Sequence, residues 1–113
     1  MSDCLFCGIA VGDIPAEIVL RDADVVAFRD INPQAPMHVL VIPVAHHANA
    51  GALAAADPHL AGRLLQAAAE VAAAEGMDSG YRIVMNTGAN AGQSVFHVHA
   101  HVLGGRSLTW PPG

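Results

Sequence analysis

Val95-Phe96-His97-Val98-His99-Ala100-His101-Val102-Leu103 sets a histidine at every second position from 97 to 101. Successive side chains of an extended strand point to opposite faces, so this spacing puts three imidazoles on one side and Val98, Ala100 and Val102 on the other. On a helix His99 would point away from its two neighbours. The β-branched valines, the absence of a helical period and the Gly104-Gly105 stop favour the strand.

Immediately upstream, Asn86-Thr87-Gly88-Ala89-Asn90-Ala91-Gly92-Gln93-Ser94 is a glycine-studded loop, and Tyr81 to Met85 before it reads as another strand. One clear helix is expected from Asp57 to Glu75. Asp57 is a good N-cap, Pro58 suits the first helical position, and Gly76 sits where a C-terminal cap belongs. Leu60, Leu64, Leu65 and Val71 lie close to one stripe, for packing on a sheet. Earlier, Glu17 to Leu20 and Val25 to Phe28 read as a hairpin around Arg21-Asp22-Ala23-Asp24. After the breaks at Asn32-Pro33 and Pro36, His38 to Val44 reads as a buried strand with Pro43 at an end or edge. Leu5 to Val11 is a short apolar segment. This order predicts an α+β fold, an antiparallel β-sheet with one main helix packed on it, in a single domain over residues 1–113.

A formal net charge of −5, with only five Lys and Arg, argues against a surface that tracks nucleic acid. A small anionic ligand is compatible, because backbone N–H groups and neutral donors can hold one. No apolar run approaches the ~18 residues needed to span a bilayer, so no membrane association is expected. Met1 to Asp13 show no secretory pattern, and Cys4 and Cys7 are too few and too close for a disulfide scaffold. The expectation is a cytoplasmic protein.

Same-face histidines admit three uses: a solvated sheet face, ligands of a catalytic metal, or covalent and acid–base catalysis by imidazole. Gly92-Gln93-Ser94 adds backbone N–H groups, a carboxamide and a hydroxyl, donors suited to an oxyanion or phosphoryl oxygen. Cys4-x-x-Cys7 has the spacing of half a tetrahedral zinc site or of a redox pair. His47 and His59 are expected to face solvent.

Several segments together resemble the histidine triad (HIT) nucleotide-binding family over nearly the whole chain. They are Ile14-Pro15-Ala16, Ala27-Phe28-Arg29-Asp30-Ile31-Asn32-Pro33-Gln34-Ala35-Pro36, His38-Val39-Leu40-Val41-Ile42-Pro43, Gly92-Gln93-Ser94-Val95-Phe96 and His97-Val98-His99-Ala100-His101-Val102-Leu103. The closing Leu103-Gly104-Gly105-Arg106 and Trp110-Pro111-Pro112-Gly113 resemble its Hint-like purine nucleoside phosphoramidase branch more than its dinucleoside polyphosphate hydrolases. Related nucleotidyltransferases carry glutamine where His101 stands, which favours hydrolysis over transfer.

The resemblance implies a homodimeric hydrolase of purine nucleoside 5′-phosphoramidates acting through a nucleotidyl-histidine intermediate. The alternatives are a dinucleoside polyphosphate hydrolase and a nucleotide- or zinc-binding interaction module. By the family pattern His99 is the nucleophile, His101 and Ser94 hold phosphoryl oxygens with the Gly92, Gln93 and Ser94 backbone, and His38 supports the nucleophile. Phe28 lines the base pocket, Asp30 and Ile31 lie along ribose and base, and Asn86 contacts the phosphate region. Trp110 reaches toward the pocket of a second subunit. Zinc-containing bacterial members imply a structural zinc on Cys4, Cys7, His46 and His97, although many members of the phosphoramidase branch lack these cysteines.

Overall fold

The computed structural model describes residues 3–113; Met1 and Ser2, the first positions of the expected domain, lie outside the described residues. Five strands form one antiparallel sheet: β1 (Ile18–Arg21), β2 (Val25–Arg29), β3 (Met37–Pro43), β4 (Tyr81–Val84) and β5 (Ala100–Gly104), in the order β1-β2-β3-β5-β4. β3 is central and buried along its whole length. Pro43 lies at its end, where a missing N–H costs the ladder least. β5 pairs with β3 so that His101 lies opposite Leu40 and Leu103 opposite His38.

Alternation along these strands divides the sheet into two chemically different faces. One face carries Val25, Ala27, Val39, Val41, Ala100 and Val102 against the long helix α3, after the short helices α1 (Leu5–Ala10) and α2 (Ala50–Ala56); α3 spans Pro58–Ala74. Leu60, Leu64, Ala67, Ala68, Val71 and Ala72 form the buried stripe of α3. Its small residues let the helix lie close, and each larger aliphatic there contributes about 1.5–3 kcal/mol. The Asp57 carboxylate caps the helix through the Leu60 N–H at 3.0 Å, and Gly76 takes φ +75° just past the end. The opposite face buries Val26, Phe28, Leu40 and Ile42 under α1 and carries the histidines.

Five expectations need correction. Leu5–Ala10 is a helix; Cys4 caps it by accepting the Cys7 N–H on sulfur. α2 is a further helix, capped by the Asn49 side chain. Leu65 is half exposed and does not join the α3 stripe. The histidine strand is shorter than its alternation suggests, since β5 starts at Ala100 and the Val98 N–H leaves the ladder for the His47 carbonyl at 2.7 Å. His47, expected to face solvent, is half buried, whereas His59 is exposed as expected. Among the described residues no helix is long and apolar enough to cross a membrane.

Candidate functional site

Backbone groups assign the histidine tautomers, because a carbonyl can only accept and an amide N–H can only donate. His99 Nδ1 lies 2.9 Å from the His97 carbonyl oxygen, so Nδ1 carries the proton and the Nε2 lone pair is left toward the cavity that His99 lines. The Phe6 ring stands perpendicular to the His99 ring at 5.0 Å between centroids and fixes its plane. His97 uses its other nitrogen: Nε2–H donates to the Pro43 carbonyl at 2.8 Å, leaving the Nδ1 lone pair available.

A second chain of assignments starts at a backbone amide. The Gln34 N–H donates to His38 Nδ1 at 3.0 Å, so the His38 proton sits on Nε2. That Nε2–H faces His101 Nδ1 at 2.9 Å and Asp30 Oδ2 at 3.4 Å. His101 Nδ1 is then an acceptor, and its proton resides on Nε2. Burial pushes the His38 pKa down, opposed by the charge of Asp30. Burial, with repulsion from His99 and His38, lowers His101 to about 4, so both rings are neutral near pH 7. Asp30 Oδ1 also accepts the Asn32 N–H at 2.8 Å, and Arg106 Nε donates to the Gln34 carbonyl at 3.0 Å. These bonds keep the 30–36 loop seated over His38.

Asp30, His38 and His101 are close enough together to bind a cation. The Gln34 N–H on His38 Nδ1 argues against it, since Nε2 would have to lose the proton that this bond places there. The group is better suited to passing hydrogen-bond direction than to holding metal.

Cys4, Cys7, His46 and His97 form the other cluster. His46 Nδ1 and His97 Nδ1 lie 3.1 Å apart, Cys4 Sγ and Cys7 Sγ each lie 3.4 Å from His97 Nδ1, and Cys7 Sγ lies 3.3 Å from His46 Nδ1. A tetrahedral zinc with ordinary bond lengths has edges of about 3.3 Å between nitrogens and about 3.6 Å between nitrogen and sulfur. These four edges match a four-coordinate metal ion to within a few tenths of an ångström, and all four donor atoms lie within 4.8 Å of one another. The His97 Nε2–H bond to the Pro43 carbonyl supplies the outer hydrogen bond that orients a ligating imidazole. Burial lowers the His97 pKa, which keeps the ring in the neutral form a metal requires.

Phe28, Asp30, Ile31, Ser94, His99 and His101 line one cavity of about 690 Å³ on this face of the sheet. His38 is buried behind His101. Asn86, Gly92 and Gln93 are not brought into that wall. Gln93 turns inward instead: its carboxamide accepts the Gly88 N–H at 2.9 Å and donates to the Ala48 and Val95 carbonyls at 2.7 and 3.1 Å. Its backbone N–H is committed to the Gly88 carbonyl. Gly92 takes φ +97° where this loop closes on itself, beside Asn86. The expected donor loop is therefore self-bonded through residue 93, with Ser94 its member at the cavity.

Leu5, Phe6, Ile9, Ile14 and Leu40 add to the apolar wall; Ile14 and Leu40 fall in the family-like segments, but none of the five was assigned a site role from sequence. The one available signal was the aromatic residue between the two cysteines. Trp110 is largely exposed. A separate depression of about 720 Å³ beside β4 contains Arg82 and Arg106, but both guanidiniums are bonded to carbonyls of the chain itself.

Residues 11–108 match the family model described as the HIT domain. An uncharacterized HIT-like protein of Synechococcus elongatus is 50% identical over 111 residues, covering 98% of this chain and 97% of its own. A 14 kDa zinc-binding protein of Zea mays is 46% identical over 114 residues, covering 99% of this chain and 89% of its own. Among solved structures, a HIT family hydrolase from Legionella pneumophila superposes with a TM-score of 0.95 at 49% identity, covering 98% of this chain and all of the other. Cys4 and Cys7 precede the residues matched by the family model, but fall within the span shared with such full-length relatives.

Proposed function

The chain belongs to the HIT domain family, and from that premise we propose that it hydrolyses purine nucleoside 5′-phosphoramidates through a nucleotidyl-histidine intermediate. One observation carries the reading. His99 is anchored through Nδ1–H to the His97 carbonyl, with its other nitrogen left toward a cavity it shares with Ser94 and His101. An imidazole attacks as a nucleophile only from an unprotonated nitrogen, and this anchor selects which nitrogen that is.

In the first step His99 Nε2 bonds to the α-phosphorus and the P–N bond breaks, the departing amine taking up a proton. The positive charge that develops on the His99 ring is stabilised by the His97 carbonyl facing Nδ1–H. His101 Nε2–H and the Ser94 hydroxyl donate to phosphoryl oxygens. His38 fixes the direction of the His101 donor, and the Gln34 amide fixes His38. In the second step a water oxygen bonds to phosphorus, the P–Nε2 bond breaks, and a proton is released with the nucleoside monophosphate. The apolar wall of Phe6, Phe28 and Ile31 receives the base, and Asp30 lies toward the ribose.

Cys4, Cys7, His46 and His97 hold a structural zinc in the same reading, supported by their tetrahedral spacing and by the zinc-binding names of plant relatives 46% identical to this chain. Zinc in a closed site cross-links chain segments and leaves no position for water. The protein is read as a cytoplasmic homodimer, its dimerisation to be checked by sedimentation, with residues 1–113 as one domain. Comparing kcat/KM for adenosine 5′-phosphoramidate and diadenosine polyphosphates tests the substrate assignment, and the phosphoramidate is expected to win by at least about tenfold. A preference for the dinucleotides would replace the reading, as would nucleotide binding without turnover.

A further inference from the structure

The cysteines and the nucleotide cavity share the same six-residue helix. Cys4 caps α1 and Cys7 lies within it, while Leu5, Phe6 and Ile9 of that helix form part of the cavity wall. Phe6 touches three things at once. Its ring stands 5.0 Å from His99, 6.1 Å from His97 and 5.5 Å from Phe28, each edge-on. A six-residue helix has too little hydrogen bonding to hold itself in water, so its position depends on what its side chains are fastened to. The fastenings are apolar contacts beneath it, the Arg21 guanidinium on the Ile9 and Ala10 carbonyls, and the two sulfurs, each 3.4 Å from His97 Nδ1. His97 is also the residue whose carbonyl anchors the nucleophile.

We propose that Cys4, Cys7, His46 and His97 are positioning residues for the nucleotide site, acting through Phe6 on the base wall and through the His97 carbonyl on His99. The inference rests on the nucleotide-hydrolase reading and adds a dependence which that reading does not require. With the four ligands drawn together, α1 is pinned over the sheet and the wall is preformed. With them released, α1 loosens, and nucleotide binding must bear the cost of ordering it.

The test uses AMP as the probe, with zinc-loaded wild type, chelator-treated wild type and zinc-loaded Phe6→Leu, followed by calorimetry and amide hydrogen exchange. Chelation should weaken AMP binding by about tenfold and strip protection from residues 5–11, with β2, β3 and β5 still protected. Phe6→Leu should retain one zinc per chain yet bind AMP about threefold more weakly. Leu64→Ala, which loosens the opposite face, should leave AMP affinity of the folded protein unchanged. Equal affinity in loaded and chelated protein, or an equal loss in Leu64→Ala, would overturn the proposal. Failure of loaded wild type to bind AMP at all would instead overturn the nucleotide reading.

Discussion

The two faces of the sheet are made from the same strands and do opposite things. Along β5, Ala100 and Val102 enter an aliphatic layer against α3, while His101 between them joins His99 and His38 on the other side. The α3 face is dry and needs only shape. The histidine face buries polar rings; both His38 nitrogens, His97 Nε2, His99 Nδ1 and His101 Nδ1 are each met by a backbone carbonyl, an amide or another ring, while His99 Nε2 is left to the cavity. The contrast teaches that stability and chemistry are separated here by a single residue step, so substitutions two positions apart should report on the same property and neighbours on different ones.

The largest expected effect is on the histidine face. His99→Ala should reduce phosphoramidate turnover by more than about 10³-fold, measured by product release, because the residues that act as one unit fail together. Leu64→Ala tests the other face: chemical denaturation should show a loss of about 2–5 kcal/mol, with kcat/KM of the folded enzyme intact. If Leu64→Ala lowered turnover as steeply as stability, the separation of the faces would be wrong.

His38→Ala removes the donor to His101 Nδ1 and leaves the Gln34 N–H unpaired. Steady-state kinetics should show kcat reduced about 10–100-fold, the scale seen when an outer hydrogen-bond partner is lost from an ordered site. A smaller signature is in pH. The His101 pKa lies near 4 in the folded protein, below its ordinary value of 6.5, so the unfolded chain binds the proton first as pH falls. Its contribution to stability is therefore complete above pH 6.5 and is lost progressively toward pH 4. Denaturation midpoints of wild type and His101→Gln across that window should converge as pH drops; parallel curves would remove His101 from the account.

Smallest of all should be a change far from both sites. Asp22 is held down to about 2, first by its bond to Arg63 and then by the Val25 and Asp24 amides. As an exposed ion pair it contributes about 0.2–1 kcal/mol, present above pH 3.8 and lost toward pH 2. Asp22→Asn should show that small loss at neutral pH, and turnover should not change.

Much of this was legible because period-2 alternation is a strong signal. The gathering of His97, His99 and His101 on one side, the α3 cap at Asp57 and the sequence of three strands, a helix and two strands follow from residue spacing alone, although only His101 of the three lies within β5. The parts that were not legible depend on contacts between distant segments. α1 is too short to show a helical period and is capped by a cysteine, a residue outside the usual capping set. Gln93 looks like a ligand donor until its partners at Ala48 and Gly88 are known. The metal-ligand set was reached through family resemblance, since Cys4-x-x-Cys7 supplies only half of it. Most telling are the tautomers, set by the Pro43 and His97 carbonyls and the Gln34 amide, backbone groups whose roles no side-chain pattern reveals.

The most direct measurement is rapid quenching of wild type during turnover of an adenosine phosphoramidate, followed by peptide mass spectrometry of the segment from 95 to 106. A nucleotidyl group on His99, absent from His99→Ala, is the predicted result. An adduct on His97 or His101, or full turnover by His99→Ala, would contradict the account.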